Sequence, residues 1–213
     1  MVSDVPLAPG GRRSNLCGMA TRKDKDAEGE GWLSGQLLIA MPAMQDPRFA
    51  QSVIYLCAHS PEGAMGLVVN RPVENLTFDD LLKQLSIEPL PPARRIQVQA
   101  GGPVEQARGF VLHTADWMQD GSLRVNEAMA LTASIDVLRE IAKGGGPRRG
   151  LLALGYAGWG PGQLDREISE NAWLSVPPDE ALIFGADFAA KWRGALAKLG
   201  IDPLLLSGAA GRA

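Results

Sequence analysis

Between Gln36 and Pro72 the chain reads QLLIAMPAMQDPRFAQSVIYLCAHSPEGAMGLVVNRP, three apolar runs separated by turns too short for anything but neighbouring strands. The first run, Gln36 to Met41, closes at Pro42, whose missing N–H removes a ladder donor. Met44-Gln45-Asp46-Pro47 supplies a turn. The second run, Ser52 to Ala58, places Val53, Tyr55, Cys57 and His59 on one face and Ile54, Leu56 and Ala58 on the other, because strand side chains alternate. Both faces are largely apolar, which predicts a central strand. Pro61-Glu62-Gly63 turns the chain into a third run, Met65 to Asn70, paired with the second as a hairpin.

Downstream the pattern mixes helix and strand. Thr77-Phe78-Asp79-Asp80 has the Thr-x-x-acid form of a helix N-terminus, and Phe78, Leu81, Leu82 and Leu85 give that helix one buried stripe, ending before Pro89. Ile96 to Ala100 and Gly109 to His113 read as strands joined through Gly101-Gly102-Pro103. Ser134 to Lys143 reads as a helix and Leu151 to Tyr156 as a strand. Pro161 suits the first position of a helix running to about Asn171. Trp173 to Val176 adds a short strand, and Asp187 to Leu199 the last helix. Strands in a leading cluster, joined by hairpin-length links and then alternating with helices, predict an α+β fold with a mixed, mainly antiparallel sheet.

Of the 213 residues 46% are hydrophobic and 21% charged, which supports one substantial core. A single domain over 32–206 is expected, with a disordered extension over 1–31 and a frayed tail over 207–213. The extension is rich in Gly, Pro and alternating charge, and Met19 is an alternative start. The net charge of −3 offers no general attraction for phosphate backbones or anionic membranes. Arg94-Arg95 and Arg148-Arg149 are the tight basic pairs of the domain, and no helix-turn-helix or finger pattern accompanies them, so sequence-specific nucleic-acid binding is not expected. Cys17 in the extension and Cys57 in a strand make a poor disulfide pair, which fits a reducing cytoplasm. Arg12-Arg13 and Leu16-Cys17 imitate export signals but lack the apolar segment that export requires. The longest apolar run, Leu37 to Ala43, is far short of the roughly 18 to 20 residues of a membrane span.

Cys57 and His59 are the sharpest chemical suggestion, since an imidazole beside a thiol lowers its pKa and activates it; His113, at another strand end, is the second candidate base. The competing reading is a buried thiol and two histidines capping strand ends. Same-face neighbours along a strand stand roughly 6 to 7 Å apart, too far for a direct hydrogen bond without a bend. A metal site from Cys57, His59 and His113 lacks any ligand spacing, and no metal or cofactor is expected. Asn70 and Arg71 offer an anion fork at a turn. Gly101 and Gly102, with the glycines at 155, 158, 160 and 162 around Tyr156 and Trp159, offer either backbone anion nests or tight turns beside bulky rings. Asp165, Glu167 and Glu170 read as a solvated helix face.

These residues resemble the AlgH/YqgE family of bacterial proteins. The resemblance rests on Leu38-Ile39-Ala40-Met41-Pro42, Val53 to His59, Gly63 to Pro72, Gly101-Gly102-Pro103-Val104, Arg108 to His113, and Gly155-Tyr156-Ala157-Gly158-Trp159 with Gly162-Gln163-Leu164. It implies a bent sheet forming a barrel-like body with helices packed outside. Members are commonly labelled transcriptional regulators, and no established reaction, ligand or cofactor comes with the family. Asp165 stands where relatives usually carry Glu, and Arg212 where a His is often found. The expectation is a cytoplasmic regulatory or binding protein that acts through a protein partner or a small ligand near Cys57, His59, Asn70 and Trp159, with Asn70, Arg71, Gly101, Gly102, Tyr156 and Trp159 as ligand contacts. The alternative is a thiol-dependent enzyme or redox sensor built on Cys57.

Overall fold

The structure, a computed structural model, describes residues 32–91 and 94–202. The expected extension with Cys17 and Met19 and the expected tail lie outside the described residues. Nine strands and five helices follow in the order β1 (Leu37–Ala40), β2 (Val53–Ser60), β3 (Gly63–Val68), α1 (Phe78–Gln84), β4 (Gln97–Ala100), β5 (Val104–Thr114), β6 (Ser122–Arg124), β7 (Met129–Thr132), α2 (Ile135–Ala142), β8 (Gly150–Trp159), α3 (Gln163–Ser169), β9 (Trp173–Val176), α4 (Glu180–Phe184) and α5 (Phe188–Ala197) among the described residues. The strands form one sheet ordered β6-β7-β5-β8-β3-β2-β1-β9, with β4 added beside β8. Every pairing is antiparallel except β4 with β8. The sheet curls into a half-barrel, so the chain is α+β with a mixed, mainly antiparallel sheet.

Strand β8 is the spine. Its first half pairs with β5 on one edge and β4 on the other, and its second half pairs with β3. Helices α1 and α2 cover Val98, Val111 and Leu152, and α3 covers Ile54, Leu56, Trp159 and Trp173. Alternation along β8 changes phase at Gly155 (φ +72°): Leu152 before it packs under α2, and Ala157 and Trp159 after it pack with α3.

The helix starts follow local chemistry. Thr77 caps α1 in a reciprocal box with Asp80, Ser134 caps α2, Asp179 caps α4 and Asp187 caps α5. Pro161 does not open α3. That helix begins at Gln163 behind the left-handed Gly162, and Gln163 turns its Oε1 back to accept the Gly160 N–H at 3.0 Å. Strands β6 and β7 and helix α4 are additions to the sequence reading. They span three, four and five residues, too few for a period to register.

Helix α5, packed against β1 and β2, carries a buried cation. Lys191 is 3% exposed; its Nζ donates to the carbonyls of Val69 at 2.7 Å and Ile183 at 2.8 Å and lies 5.0 Å from the Phe188 ring centre. It ties α4 to the end of β3. Burial pulls its pKa down from 10.5 to about 8. The folded chain thus holds this proton less readily than the unfolded one, and the cost of the buried charge is relieved as pH rises from about 8 towards the ordinary lysine value. Urea titrations of the wild type and Lys191→Met should show the stability difference moving in favour of the wild type over that range, by at most about 1.4 kcal/mol per pH unit.

Candidate functional site

The face shared by Cys57 and His59 in the sequence reading does not exist. Leu56 opposes Gly66, Ala58 opposes Met65 and His59 opposes Ala64, so Cys57 is the surplus residue of a β-bulge. One extra residue reverses alternation. His59 therefore joins the row Ala64–Trp159 on the face of Leu56, while Cys57 turns the other way. The thiol is 3% exposed, its nearest partner is the Tyr55 carbonyl at 3.7 Å, and burial pushes its pKa up to about 12. This is the opposite of an activated nucleophile.

His59 works as a fastener. Its Nδ1 accepts the Leu33 backbone N–H at 3.2 Å, which fixes the ring proton on Nε2, facing Asp165 Oδ2 at 3.4 Å. Its own N–H donates to Ser34 Oγ at 2.8 Å. The imidazole is 1% exposed whereas Asp165 is 56% exposed, and the ring of Trp32 stands edge-on at 5.0 Å. Both ring nitrogens are engaged, so the imidazole has no free lone pair for a substrate.

Beside it α3 is clasped to the sheet by a carboxylate. Glu167 Oε2 accepts the indole N–H of Trp159 at 2.9 Å and of Trp173 at 2.8 Å, and Oε1 accepts from Gln163 at 2.8 Å. The solvated-face reading of this helix holds at Asp165 and Glu170, which are exposed, and fails at Glu167. Two tryptophans buried in apolar surroundings need an acceptor for their N–H groups, and α3 supplies it. The signal that could have found this was the pair of indoles at the end of β8 and the start of β9, flanking a short acidic helix in sequence.

The other candidates sit apart. His113 is fully buried on β5, three strands from β2 in the sheet order, with Nδ1 on the Thr114 carbonyl and Nε2 on Thr132 Oγ1, each at 2.9 Å. Asn70 accepts the Val53 N–H at 2.9 Å and donates to Gln51 O at 2.8 Å, and Arg71 donates to Ala50 O at 2.9 Å. These two pin the loop before β2. Gly101 and Gly102 let the β4–β5 link lie against β8: a Cβ on Gly101 would stand 2.3 Å from the Gly155 oxygen and one on Gly102 2.1 Å from the Tyr156 carbonyl carbon. Tyr156 is buried edge-on to Phe110 at 5.7 Å.

The two arginine pairs converge in space. Arg94 donates to the carbonyls of Pro147 and Arg148, Arg95 pairs with Asp79 at 2.7 Å, and Arg148 and Arg149 share Glu180 at 2.9 and 3.6 Å. A shallow hollow of about 250 Å³ lies beside Arg95, floored by Phe78, Ile96 and Val98. Among the described residues no cluster of three metal-ligating side chains occurs, and no helix is long and apolar enough to cross a membrane.

In a Cys17→Ser background, iodoacetamide should leave Cys57 unmodified in the folded protein at pH 8 and label it only in urea; Cys57→Ala should cost about 1 to 2 kcal/mol of packing. Gly102→Ala should cost about 3 kcal/mol or more by denaturant titration, because the added carbon meets backbone rather than a movable side chain.

Comparison with known proteins agrees with this geometry. A family model described as AlgH-like matches residues 37–204. A UPF0301 protein of Rhodospirillum rubrum is 56% identical over 184 residues, covering 86% of this chain and 96% of its own length. One from Rhodopseudomonas palustris is 54% identical over 201 residues, covering 91% and 94%. The solution structure of the AlgH protein from Pseudomonas aeruginosa superposes with a TM-score of 0.70 at 45% identity, covering 88% of this chain and 100% of that one. A crystal structure of a Corynebacterium diphtheriae protein, 23% identical with a TM-score of 0.64, covering 84% of this chain and 93% of that one, shares the fold. With a family match spanning most of the domain, relatives above half identity and a shared half-barrel, the chain belongs to the AlgH-like family.

Proposed function

We propose that this protein is a cytoplasmic binding or regulatory protein that acts through contacts with a protein partner or small ligand, without catalysis and without reading DNA sequence. The observation that carries the proposal is the state of the three candidate groups among the described residues, Cys57, His59 and His113. Cys57 is buried with its thiol at about 12, and the ring nitrogens of His59 and His113 are all within hydrogen-bonding reach of protein partners. A buried free thiol is also at ease in a reducing compartment. The contact surface we favour is the end of the sheet at His59, where Trp32 is 41% exposed beside the open carboxylate of Asp165. A half-exposed indole next to an acid suits an arginine or lysine of a partner.

The regulatory label attached to the family does not require DNA contact. Arg95, Arg148 and Arg149 each face a carboxylate and Arg94 is spent on backbone carbonyls, which leaves little unpaired charge for a phosphate track.

A photo-crosslinking residue at position 32 tests the reading in living cells. Defined partners should be captured, and capture should fall about tenfold, roughly 1.4 kcal/mol, with Asp165→Lys and stay unchanged with Cys57→Ala. A cellular phenotype abolished by Cys57→Ala in a folded protein would overturn it. So would duplex retention at low salt that disappears when Arg94, Arg95, Arg148 and Arg149 are neutralised.

A further inference from the structure

The sequence contains a single Asp-Gly step, Asp120-Gly121, and no Asn-Gly step. The fold sets it at the tip of the turn that feeds β6. The Ser122 N–H donates to the Gln119 carbonyl at 3.0 Å, so Asp120 and Gly121 are the two central residues of a β-turn. Gly121 has φ +84° and Asp120 an ordinary negative φ, the combination that defines a type II turn and calls for glycine at its second central position.

Three features leave this step open to chemistry. Asp120 and Gly121 are both exposed. A Cβ built on Gly121 would meet nothing within 4 Å, so no neighbouring segment crowds its peptide nitrogen. The bond that closes the turn joins the outer residues, and the Gly121 N–H donates to no protein acceptor among the described residues. Other aspartates are occupied: Asp80, Asp179 and Asp187 are engaged at helix N-termini, and Asp46, Asp79 and Asp136 face arginines.

We propose that Asp120-Gly121 is a self-modification site, at which the folded chain converts Asp120 to isoaspartate. The Gly121 nitrogen attacks Asp120 Cγ and forms an N–Cγ bond. Its proton and the carboxyl hydroxyl leave as water, which closes a five-membered succinimide. Water then adds to the former backbone carbonyl and breaks its bond to the nitrogen. The main chain now runs through Cβ, and the former backbone carbonyl is a free carboxylate. One water leaves and one returns, so composition and net charge are unchanged.

Ring closure requires the central peptide plane to rotate until the Gly121 nitrogen lies under the Asp120 side chain. No hydrogen bond donated by that N–H has to break, and the space beside Gly121 admits the movement. The product carries one extra main-chain carbon between Gln119 and Ser122. Ser122 is the first residue of β6, a three-residue strand at the end of the sheet order that pairs with β7, and its hydroxyl lies 2.7 Å from Thr132 Oγ1. A longer turn displaces the bond between Gln119 and Ser122, so the modification loosens this edge of the sheet.

Ageing the full-length wild type at physiological temperature in mildly acidic buffer for several weeks, with circular dichroism to confirm that it stays folded, tests the proposal. Peptide mapping with electron-transfer fragmentation should find isoaspartate at residue 120 well above that at any other aspartate of the domain. Gly121→Asn keeps a residue that tolerates positive φ but adds a side chain beside the nitrogen, and should lose most of the signal. Asp120→Glu needs a slower-forming six-membered ring, and should reduce the methyl groups that an isoaspartyl methyltransferase transfers to the aged protein. Isoaspartate at residue 120 no higher than at other aspartates, an equal yield in Gly121→Asn, or a signal that arises only when urea unfolds the chain overturns the proposal.

Discussion

The architecture depends on one backbone position that has no room for a side chain. At Gly155, with φ +72°, a Cβ would lie 2.6 Å from the Gly102 oxygen and 2.8 Å from the Val104 oxygen. The left-handed turn lets β8 change phase in mid-strand. That change allows one strand to pair with β4 and the second half of β5 before the kink, and with β3 and the first residue of β5 after it. Without it the two halves of the sheet would have no common member, and the curl that gives α2 and α3 their separate apolar beds would be lost.

Three polar pins then fix the outer elements. His59 holds residues 33 and 34, Glu167 clasps α3 through two indoles, and Lys191 ties α4 to the end of β3. Each is a hydrogen-bonding group whose partners lie far away in sequence or in another element. An unpaired polar group in such surroundings costs about 1 to 3 kcal/mol, so these residues choose one arrangement of the helices more than they add to the total stability. Of the three, His59 is the one that a search for catalytic groups selects first, because a buried histidine looks alike in sequence whether it holds a substrate or a loop.

Much of the fold was legible. The hairpin of β2 and β3, the capped helices at Thr77 and Ser134, the strand at Trp173 and the mixed sheet follow from turn residues and periodicity, which are local signals. What escaped was nonlocal. Nothing near Cys57 announces a bulge, since the surplus residue is defined only by the partner strand, and a purely alternating reading therefore put His59 on the wrong face. Glu167 looked solvated because its two donors, Trp159 and Trp173, are brought together by the sheet. Asn70 and Arg71 announced a turn correctly, but their partners, the loop at Ala50 and Gln51 and the backbone of Val53, were invisible without the fold. Asp165, at a position where the resemblance led us to expect Glu, reaches His59 at 3.4 Å, a long contact that a shorter carboxylate explains.

The bulge at Cys57 also governs which partners β2 can accept. A regular strand can slide by two residues and keep its apolar face inward, and regular hairpins are for that reason the elements most easily traded between copies of a chain. Strand β2 cannot slide in this way. Its apolar rows are in phase on both sides of position 57 in a single alignment with β3, and any shift would set Cys57 against a residue with no slack for it. The hairpin is keyed to its own chain, which guards a sheet that ends at β6 and β9 among the described residues against slippage and exchange.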